Sequence, residues 1–199
     1  MSKEYKFYRF AYRLLAWIFF VFFGLRIKGR ENVPEGAAMV CSPHSSVLDP
    51  LFLAVGLGIR HHIHYMAKKE LFSGKIFGRI VSMLGAFPVD RGKNDVTAIK
   101  TAMQYLKQGE KVGIFPEGTR VSADDTVAAK SGAVKIADKT NSPVLPVYLQ
   151  RGKKLFGRVC VVIGKPYYVN PDRVRLNNEQ YQQKAAELMG KIKLLGEGV

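Results

Sequence analysis

Residues 37–57, Ala37-Ala-Met-Val-Cys-Ser-Pro-His-Ser-Ser-Val-Leu-Asp-Pro-Leu-Phe-Leu-Ala-Val-Gly-Leu57, lead from an apolar run through a polar turn into a second apolar run. The first run predicts a strand over 37–42. Pro50 disfavours the α conformation at Asp49 and suits the first turn of a helix, so a helix is predicted over 50–57. His44 and Asp49 then lie in the loop ahead of it. Their spacing would turn them about 140° apart on a helix, so we expect them to meet through a turn.

The rest of the chain repeats this alternation of short apolar runs and longer helical stretches. Candidate strands are 37–42, 62–67, 86–89, 111–115, 144–149 and 158–164. Candidate helices are 50–57, 74–84, 94–108, 127–138 and 177–195. The helix at 94 has Asn94 or Asp95 as a cap and is expected to stop near Gly109. The pattern predicts a single α/β domain with a mainly parallel sheet flanked by helices.

A histidine and a carboxylate brought together in a loop suit proton transfer. Asp49 can accept a hydrogen bond from one imidazole nitrogen of His44 and fix its tautomer, which leaves the other nitrogen to take a proton. This is the base and orienting group of a catalytic triad without the serine, so the reacting hydroxyl would belong to the substrate. The alternative is that Asp49 caps the helix and His44 is an ordinary loop histidine.

Cationic residues follow three other predicted strands. In Phe115-Pro-Glu-Gly-Thr-Arg120, Gly118 permits a turn closed to other residues, its amides can face an anion, and Arg120 offers a fork for phosphate. Gly85-Ala-Phe-Pro-Val-Asp-Arg91 ends in a charged pair, and Lys68 ends another strand. Strand ends are where α/β folds gather ligand-binding groups. An ordinary turn or a surface ion pair is the alternative at each place.

Side chains that ligate metals are sparse in this sequence. His62 and His64 can share one face of a strand, but no third ligand is apparent nearby, and a solvated or interfacial strand is the better interpretation. Cys41 and Cys160 both lie in apolar runs, where a thiol is usually a small buried hydrophobe. No metal site is therefore predicted.

Composition and charge limit the class of protein. The chain has 199 residues, of which 47% are hydrophobic, enough for one domain with a large core. Its 31 basic and 16 acidic residues give a net charge of +15 that is spread over both halves, so the basic tail of a nucleic-acid binder is absent. An anionic membrane, a phosphorylated substrate or an acidic carrier protein fits such a surface. A basic soluble domain without an anionic partner remains open.

The N-terminal segment favours the membrane. On a helical wheel its early cations fall on one side, and 14–25 carries no charge before Arg26 closes it. Those twelve residues would span about 18 Å as a helix, less than the roughly 30 Å of a bilayer core, and no signal-peptide cleavage site follows. The pattern predicts a one-leaflet anchor, with a core helix packed on the domain as the alternative.

Taken in order, four motifs resemble those of the glycerolipid acyltransferase family, and most closely its bacterial 1-acylglycerol-3-phosphate (lysophosphatidic acid) acyltransferases. They are H-x-x-x-x-D from His44, G-x-x-x-V-D-R from Gly85, F-P-E-G-T-R from Phe115 and V-x-P-V from Val144. The resemblance runs from about residue 25 to 150. One departure is Pro43, where many members have asparagine.

The resemblance implies a role for each matching position. His44 would be the general base and Asp49 its orienting group, and Pro146 would support the site. Lys68 matches a lysine in the family's Ala-Lys-x-Glu-Leu stretch. The acceptor lipid would be bound by this lysine and the remaining motif residues: Lys68, Arg91, Glu117, Gly118, Thr119 and Arg120.

The implied reaction moves an acyl group from acyl-CoA or acyl-(acyl carrier protein) to the 2-hydroxyl of lysophosphatidic acid, without metal or cofactor. Residues 1–28 would associate with the anionic cytoplasmic face of the cell membrane, and 29–199 would form the catalytic domain. Alternatives are transfer to a related lysophospholipid or glycerol phosphate, a thioester or lipid hydrolase, and a non-enzymatic membrane module. No nucleic-acid-binding signature is evident.

Overall fold

Strands and helices alternate along the chain, as the sequence predicts. The computed structural model describes residues 3–74, 77–90, 95–122 and 127–199, and at 3–7 and 77 the backbone alone. The strands are β1 Arg26–Lys28, β2 Ala38–Cys41, β3 Ile63–Lys68, β4 Ala86–Val89, β5 Lys111–Ile114, β6 Val144–Leu149 and β7 Cys160–Ile163. The helices are α1 Lys3–Phe23, α2 Asp49–Leu57, α3 Phe77–Met83, α4 Val96–Lys107, α5 Gly132–Thr140 and α6 Asn178–Gly196. Short 3-10 turns cover Arg30–Asn32 and Lys69–Phe72.

The strands form one sheet in the order β1-β7-β6-β2-β5-β3-β4. Five of them, from β6 to β4, run parallel, whereas β7 pairs antiparallel with β6 and β1 runs parallel to β7. Parallel neighbours need crossover connections, which the helices between them provide. The predicted single α/β domain with a mainly parallel sheet is therefore confirmed.

The core has two layers, one on each face of the sheet. Side chains of β2 alternate between them: Ala38 and Val40 pack with α1 and α2, while Met39 and Cys41 pack with α4, α5 and α6. All four are buried, as expected for a central strand covered on both faces. Cys41 and Cys160 are buried free thiols, as predicted.

Helix α4 begins and ends where its sequence predicts. The carboxylate of Asp95 accepts a hydrogen bond from the backbone N–H of Ala98 at 2.9 Å and so caps the first turn. The helix ends at Lys107, and Gly109 follows with φ 85°. Asn94, the other predicted cap, lies outside the described residues.

Two boundaries differ from the prediction for physical reasons. The helix predicted over 127–138 begins only at Gly132, because the backbone N–H of Lys130 is bonded to the carbonyl oxygen of Pro116 at 2.8 Å. Strand β1 was not predicted, since a three-residue strand with two exposed charged side chains has no apolar run to mark it.

One face of α1 packs against the domain. Phe19 is buried and stacks on Phe52 of α2 with ring centroids 3.9 Å apart, and the hydroxyl of Tyr12 donates to the carbonyl oxygen of Val55. Gly24, at φ 51°, then turns the chain into β1. No helix in the described part of the chain is long and apolar enough to span a bilayer. The domain boundary between 28 and 29 stays a prediction.

Candidate active site

The carboxyl ends of three parallel strands meet at one edge of the sheet. Cys41, the last residue of β2, lies opposite Ile114 of β5 on one side and Pro146 of β6 on the other. The loops that leave these strands therefore start next to each other. They carry His44, the Phe115–Arg120 motif and, beyond β6, a basic loop over 150–159.

His44 and Asp49 form a buried pair at this edge. The Nδ1 atom of His44 lies 2.9 Å from Oδ2 of Asp49, and the two residues are 8% and 0% exposed. The same oxygen accepts the backbone N–H groups of Ser45 at 2.6 Å and Ser46 at 2.8 Å, so the turn closes around the carboxylate. The two residues thus meet through a turn, as predicted from the position of Pro50. Helix α2 begins at Asp49, one residue before its predicted start.

This geometry determines which nitrogen of the His44 imidazole carries its hydrogen. An ionised carboxylate has no proton to donate, so Nδ1 of His44 must be the donor, and in the neutral imidazole the lone pair is then on Nε2. Among the described residues, Nε2 has no hydrogen-bond partner. The pair therefore presents a base toward whatever binds at this edge.

The second oxygen of Asp49 faces Lys153, which lies in the loop between β6 and β7. Nζ of Lys153 lies 2.6 Å from Oδ1 and donates a hydrogen bond of 3.2 Å to the hydroxyl of Ser45. The lysine side chain is only 4% exposed. Its ammonium also lies 5.8 Å from the ring centroid of Phe52.

Asp49 and Lys153 each stabilise the charged form of the other. Burial acts to raise the pKa of Asp49, but the hydrogen bond from His44, the ammonium of Lys153 and the N–H of Ser46 outweigh it and hold that pKa below its usual value. Burial lowers the pKa of Lys153, and Asp49 opposes that shift. Asp49 is therefore ionised across the neutral range.

The Phe115–Arg120 motif is tied to His44 from three directions. The ring of Phe115 stacks on the imidazole with centroids 4.1 Å apart. The carboxylate of Glu117 accepts the backbone N–H of His44 at 2.7 Å, and the N–H of Val121 donates to the carbonyl oxygen of His44 at 2.7 Å. Gly118 has φ 71°, the left-handed conformation predicted for this turn.

Glu117 is buried, and its carboxylate contacts other residues of the protein. It is 1% exposed, and its other oxygen pairs with the guanidinium of Arg151. Both of its oxygens are thus engaged, so its direct contribution is to hold the His44 loop in place. Its predicted contact with the acceptor lipid stays a prediction.

The other predicted site residues divide into exposed and supporting ones. Thr119 and Arg120 are exposed beside the His44 loop. Lys68 is exposed at the end of β3, where it pairs with Glu70 at 3.4 Å. Pro146 is buried in β6, opposite Cys41 of β2, and its support of the site stays a prediction. Arg91 lies outside the described residues.

His62 and His64 belong to a different part of the molecule. They line a cavity of about 680 Å³ at the opposite, amino-terminal ends of the parallel strands. His64 stacks on Tyr105 with centroids 3.7 Å apart, and burial lowers its pKa to about 4. In the part of the chain that the structure describes, no cluster of three metal-ligating side chains is found.

The sequence analysis missed Arg151 and Lys153. The sequence feature that could have identified them is the stretch 151–165, which has basic but no acidic residues and follows the strand predicted over 144–149. Its position after a strand was the same clue that identified the other site loops. What the sequence lacked was any sign that the side chain of Lys153 is buried and that of Arg151 half-buried, rather than fully solvated.

A family model matches the part of the chain that builds this edge. The model, Acyltransferase, covers residues 24–150, which include every predicted site residue. The chain therefore belongs to the acyltransferase family, and the resemblance drawn from its motifs is confirmed.

The named relatives indicate a more specific kind of acyltransferase than the family model does. A 1-acyl-sn-glycerol-3-phosphate acyltransferase of Bacillus subtilis is 38% identical, over 93% of this chain and 98% of that protein. One from Streptococcus pneumoniae is 33% identical over 83% of this chain and 62% of its own length. The crystal structure of the Thermotoga maritima 1-acyl-sn-glycerophosphate (LPA) acyltransferase PlsC superposes with a TM-score of 0.71 over 99% of this chain and 83% of that one. At 22% identity, that likeness shows a shared fold.

Proposed function

We propose that this acyltransferase moves a fatty acyl group from a thioester donor to the free hydroxyl of 1-acylglycerol-3-phosphate. The observation that carries the proposal is the buried His44–Asp49 pair, whose Nε2 lone pair faces an edge with an exposed arginine. The names of the relatives support the choice of acceptor.

In the proposed reaction, Nε2 of His44 takes the proton of the acceptor hydroxyl while the oxygen attacks the thioester carbonyl. The carbon–sulfur bond breaks, the imidazolium returns its proton to the departing thiolate, and the products are an ester and a thiol. Asp49 holds the imidazole tautomer and stabilises the transient imidazolium. A positioned base of this kind contributes about 10²–10⁴-fold to the rate.

The phosphate of the acceptor is assigned to exposed cations at the same edge. Arg120 immediately precedes Val121, whose backbone is bonded to His44, so a phosphate on its guanidinium would lie near the base. Lys68 is a second candidate, and Arg91 is a third from the sequence alone. The donor is acyl-CoA or an acyl carrier protein, and either one is acidic enough for the basic surface.

The proposed location is the cytoplasmic surface of an anionic membrane. Support comes from an exposed apolar surface, here called the apolar face, that continues from α1 onto the loop after β6. It consists of Phe10, Leu14, Trp17, Phe20, Val21, Leu155 and Phe156. Phe156 joins the two parts, because its N–H donates to the carbonyl oxygen of Phe22 at 2.6 Å and its ring contacts that of Phe22.

The loop part of the apolar face lies close to the catalytic pair. Lys153 contacts Asp49 and belongs to the same loop as Leu155 and Phe156. Phe52, over which Lys153 lies, stacks on Phe19 on the buried side of α1. A lipid seated against Leu155 and Phe156 would therefore have its head group near His44. An exposed apolar surface rimmed by cations is typical of a membrane-binding site.

The proposal is tested by measuring phosphatidic acid formed by purified protein in anionic vesicles, with each donor class in turn. His44→Ala is expected to lower kcat by at least about 100-fold in a folded protein. Arg120→Ala is expected to raise the apparent KM for lysophosphatidic acid with little change in kcat. Matched controls are His61→Ala and Arg175→Ala, which change the same residue types away from the proposed site.

Near-normal turnover by His44→Ala would overturn the catalytic assignment. An unchanged KM in Arg120→Ala would remove Arg120 from the phosphate site. Release of free fatty acid at the same rate without any acceptor would identify a hydrolase instead.

A further inference from the structure

Lys153 occupies a position that the proposed reaction does not explain. It lies after β6, more than one hundred residues from Asp49, and yet its side chain turns inward to 4% exposure. Burying an ammonium is costly unless a counter-charge and further polar contacts compensate. Here the counter-charge is the orienting carboxylate of the catalytic pair, and the further contact is the hydroxyl of Ser45 in the same turn.

The two oxygens of Asp49 are divided between two partners. Oδ2 faces His44 and the turn amides, and Oδ1 faces Lys153. The Lys153 contact is a short ion pair, and both the proximity of its N–H groups and its charge favour the ionised carboxylate. A cation held at Oδ1 keeps the carboxylate from rotating away from the imidazole and from taking up a proton.

We propose that Lys153 is a positioning residue for the reaction, one that fixes the orientation and the ionised state of Asp49 and acts on His44 only through it. The inference rests on the proposed role of His44 as base. Among the described residues, the titratable groups that contact the Asp49 carboxylate are His44 in its own turn and Lys153 from the loop after β6; Arg151, paired with Glu117, lies near Lys153.

The competing explanation is that Lys153 only fastens its loop to the domain. Both explanations allow a loss of activity on substitution, so activity at one pH does not separate them. They differ in the pH profile, because only a positioning role changes how readily the His44–Asp49 pair takes up a proton.

The experiment compares Lys153→Met, which keeps length and removes charge, with Lys153→Arg, and uses Lys100→Met, at an exposed position of α4, as the matched control. For Lys153→Met we expect kcat to fall at least about tenfold with KM for lysophosphatidic acid within about twofold, the pattern of a lost transition-state interaction. The acid limb of its kcat profile should move to higher pH, because the His44–Asp49 pair without its neighbouring cation takes up a proton more readily. Lys153→Arg should leave that limb in place, and Lys100→Met should match the wild type.

A second measurement tests whether the effect of Lys153 passes through Asp49. In an Asp49→Asn background, in protein shown to be folded, Lys153→Met should change kcat by less than about twofold. A fall in kcat by the same factor in both backgrounds overturns the inference. So does an acid limb that Lys153→Met leaves unmoved, which is the result expected of a fastening role, and so does wild-type behaviour of Lys153→Met.

The His44→Ala variant separates the two proposals. If it is inactive and Lys153→Met behaves like the wild type, the inference fails and the proposed function stands. If His44→Ala remains active, both fail.

Discussion

The carboxylate of Asp49 makes polar contacts to His44, to two backbone N–H groups and to Lys153, more than orienting an imidazole alone would require. One oxygen serves His44 and two backbone amides, and the other serves Lys153, all without exposure to solvent. Such a carboxylate contributes to stability as well as to chemistry, because its removal leaves a buried ammonium without a counter-charge. The consequence can be measured without any substrate.

Asp49→Asn is expected to lower the free energy of unfolding at pH 7 by about 3–5 kcal/mol. The folded-state pKa of Asp49 lies below its unfolded value near 3.9, so its stabilising contribution is present above about pH 4 and is lost as the pH falls through the folded pKa. Urea unfolding between pH 7 and pH 3 should show the gap between variant and wild type closing below about pH 4. The exposed Asp172→Asn is the control and should show no gap. A gap that stays constant with pH would contradict this account.

Sequence predicts the local geometry of the site correctly where neighbouring residues set it. Pro50 marks the start of α2 and Gly118 the left-handed turn after β5, so the meeting of His44 and Asp49 through a turn was predicted. The roles of these two residues and of Arg120 stay predictions. The pairing of Lys153 with Asp49 was out of reach, because it depends on which strand lies beside β2 in the sheet. The engagement of Glu117 by Arg151 has the same long-range origin.

Among the elements, α1 has a sequence that allows two interpretations, and its association with a membrane stays a prediction. The apolar run predicts either a core helix or a membrane anchor, and the structure gives the helix a buried side with Phe19 and an exposed side with Trp17. Hydrophobic periodicity cannot separate the two, since an apolar side chain has the same pattern whether protein or lipid covers it. The exposed side is the one open to experiment.

Phe10→Ser combined with Phe156→Ser is expected to weaken binding to anionic vesicles at least about tenfold, since burying one such side chain contributes about 1.5–3 kcal/mol. The two residues are 65% and 74% exposed, so the thermal stability of the protein should hardly change. Cosedimentation with vesicles measures the binding. Val174→Ser removes an exposed apolar side chain outside the apolar face and is the matched control. Unaltered binding by the double variant would exclude the apolar face as the lipid contact.

For the whole molecule, the net charge of +15 and the apolar face make separable contributions to membrane binding. Residues 1–30 carry seven basic and one acidic side chain, and exposed Lys154 and Arg158 border the apolar part of the loop after β6. A basic residue at an anionic surface contributes about 1 kcal/mol, and this attraction falls off within a Debye length. The apolar contribution has no such dependence on ionic strength.

Binding to anionic vesicles should therefore fall steeply between about 0.1 M and 1 M salt, where the Debye length shortens from about 10 Å to about 3 Å. A remainder should persist at high salt and should be lost in the Phe10→Ser/Phe156→Ser variant, because it comes from the apolar face. Zwitterionic vesicles should bind the wild type weakly and with little salt dependence. Binding to anionic vesicles that ignores salt would show that the positive charge serves another partner, with the acidic acyl donor as the next to test.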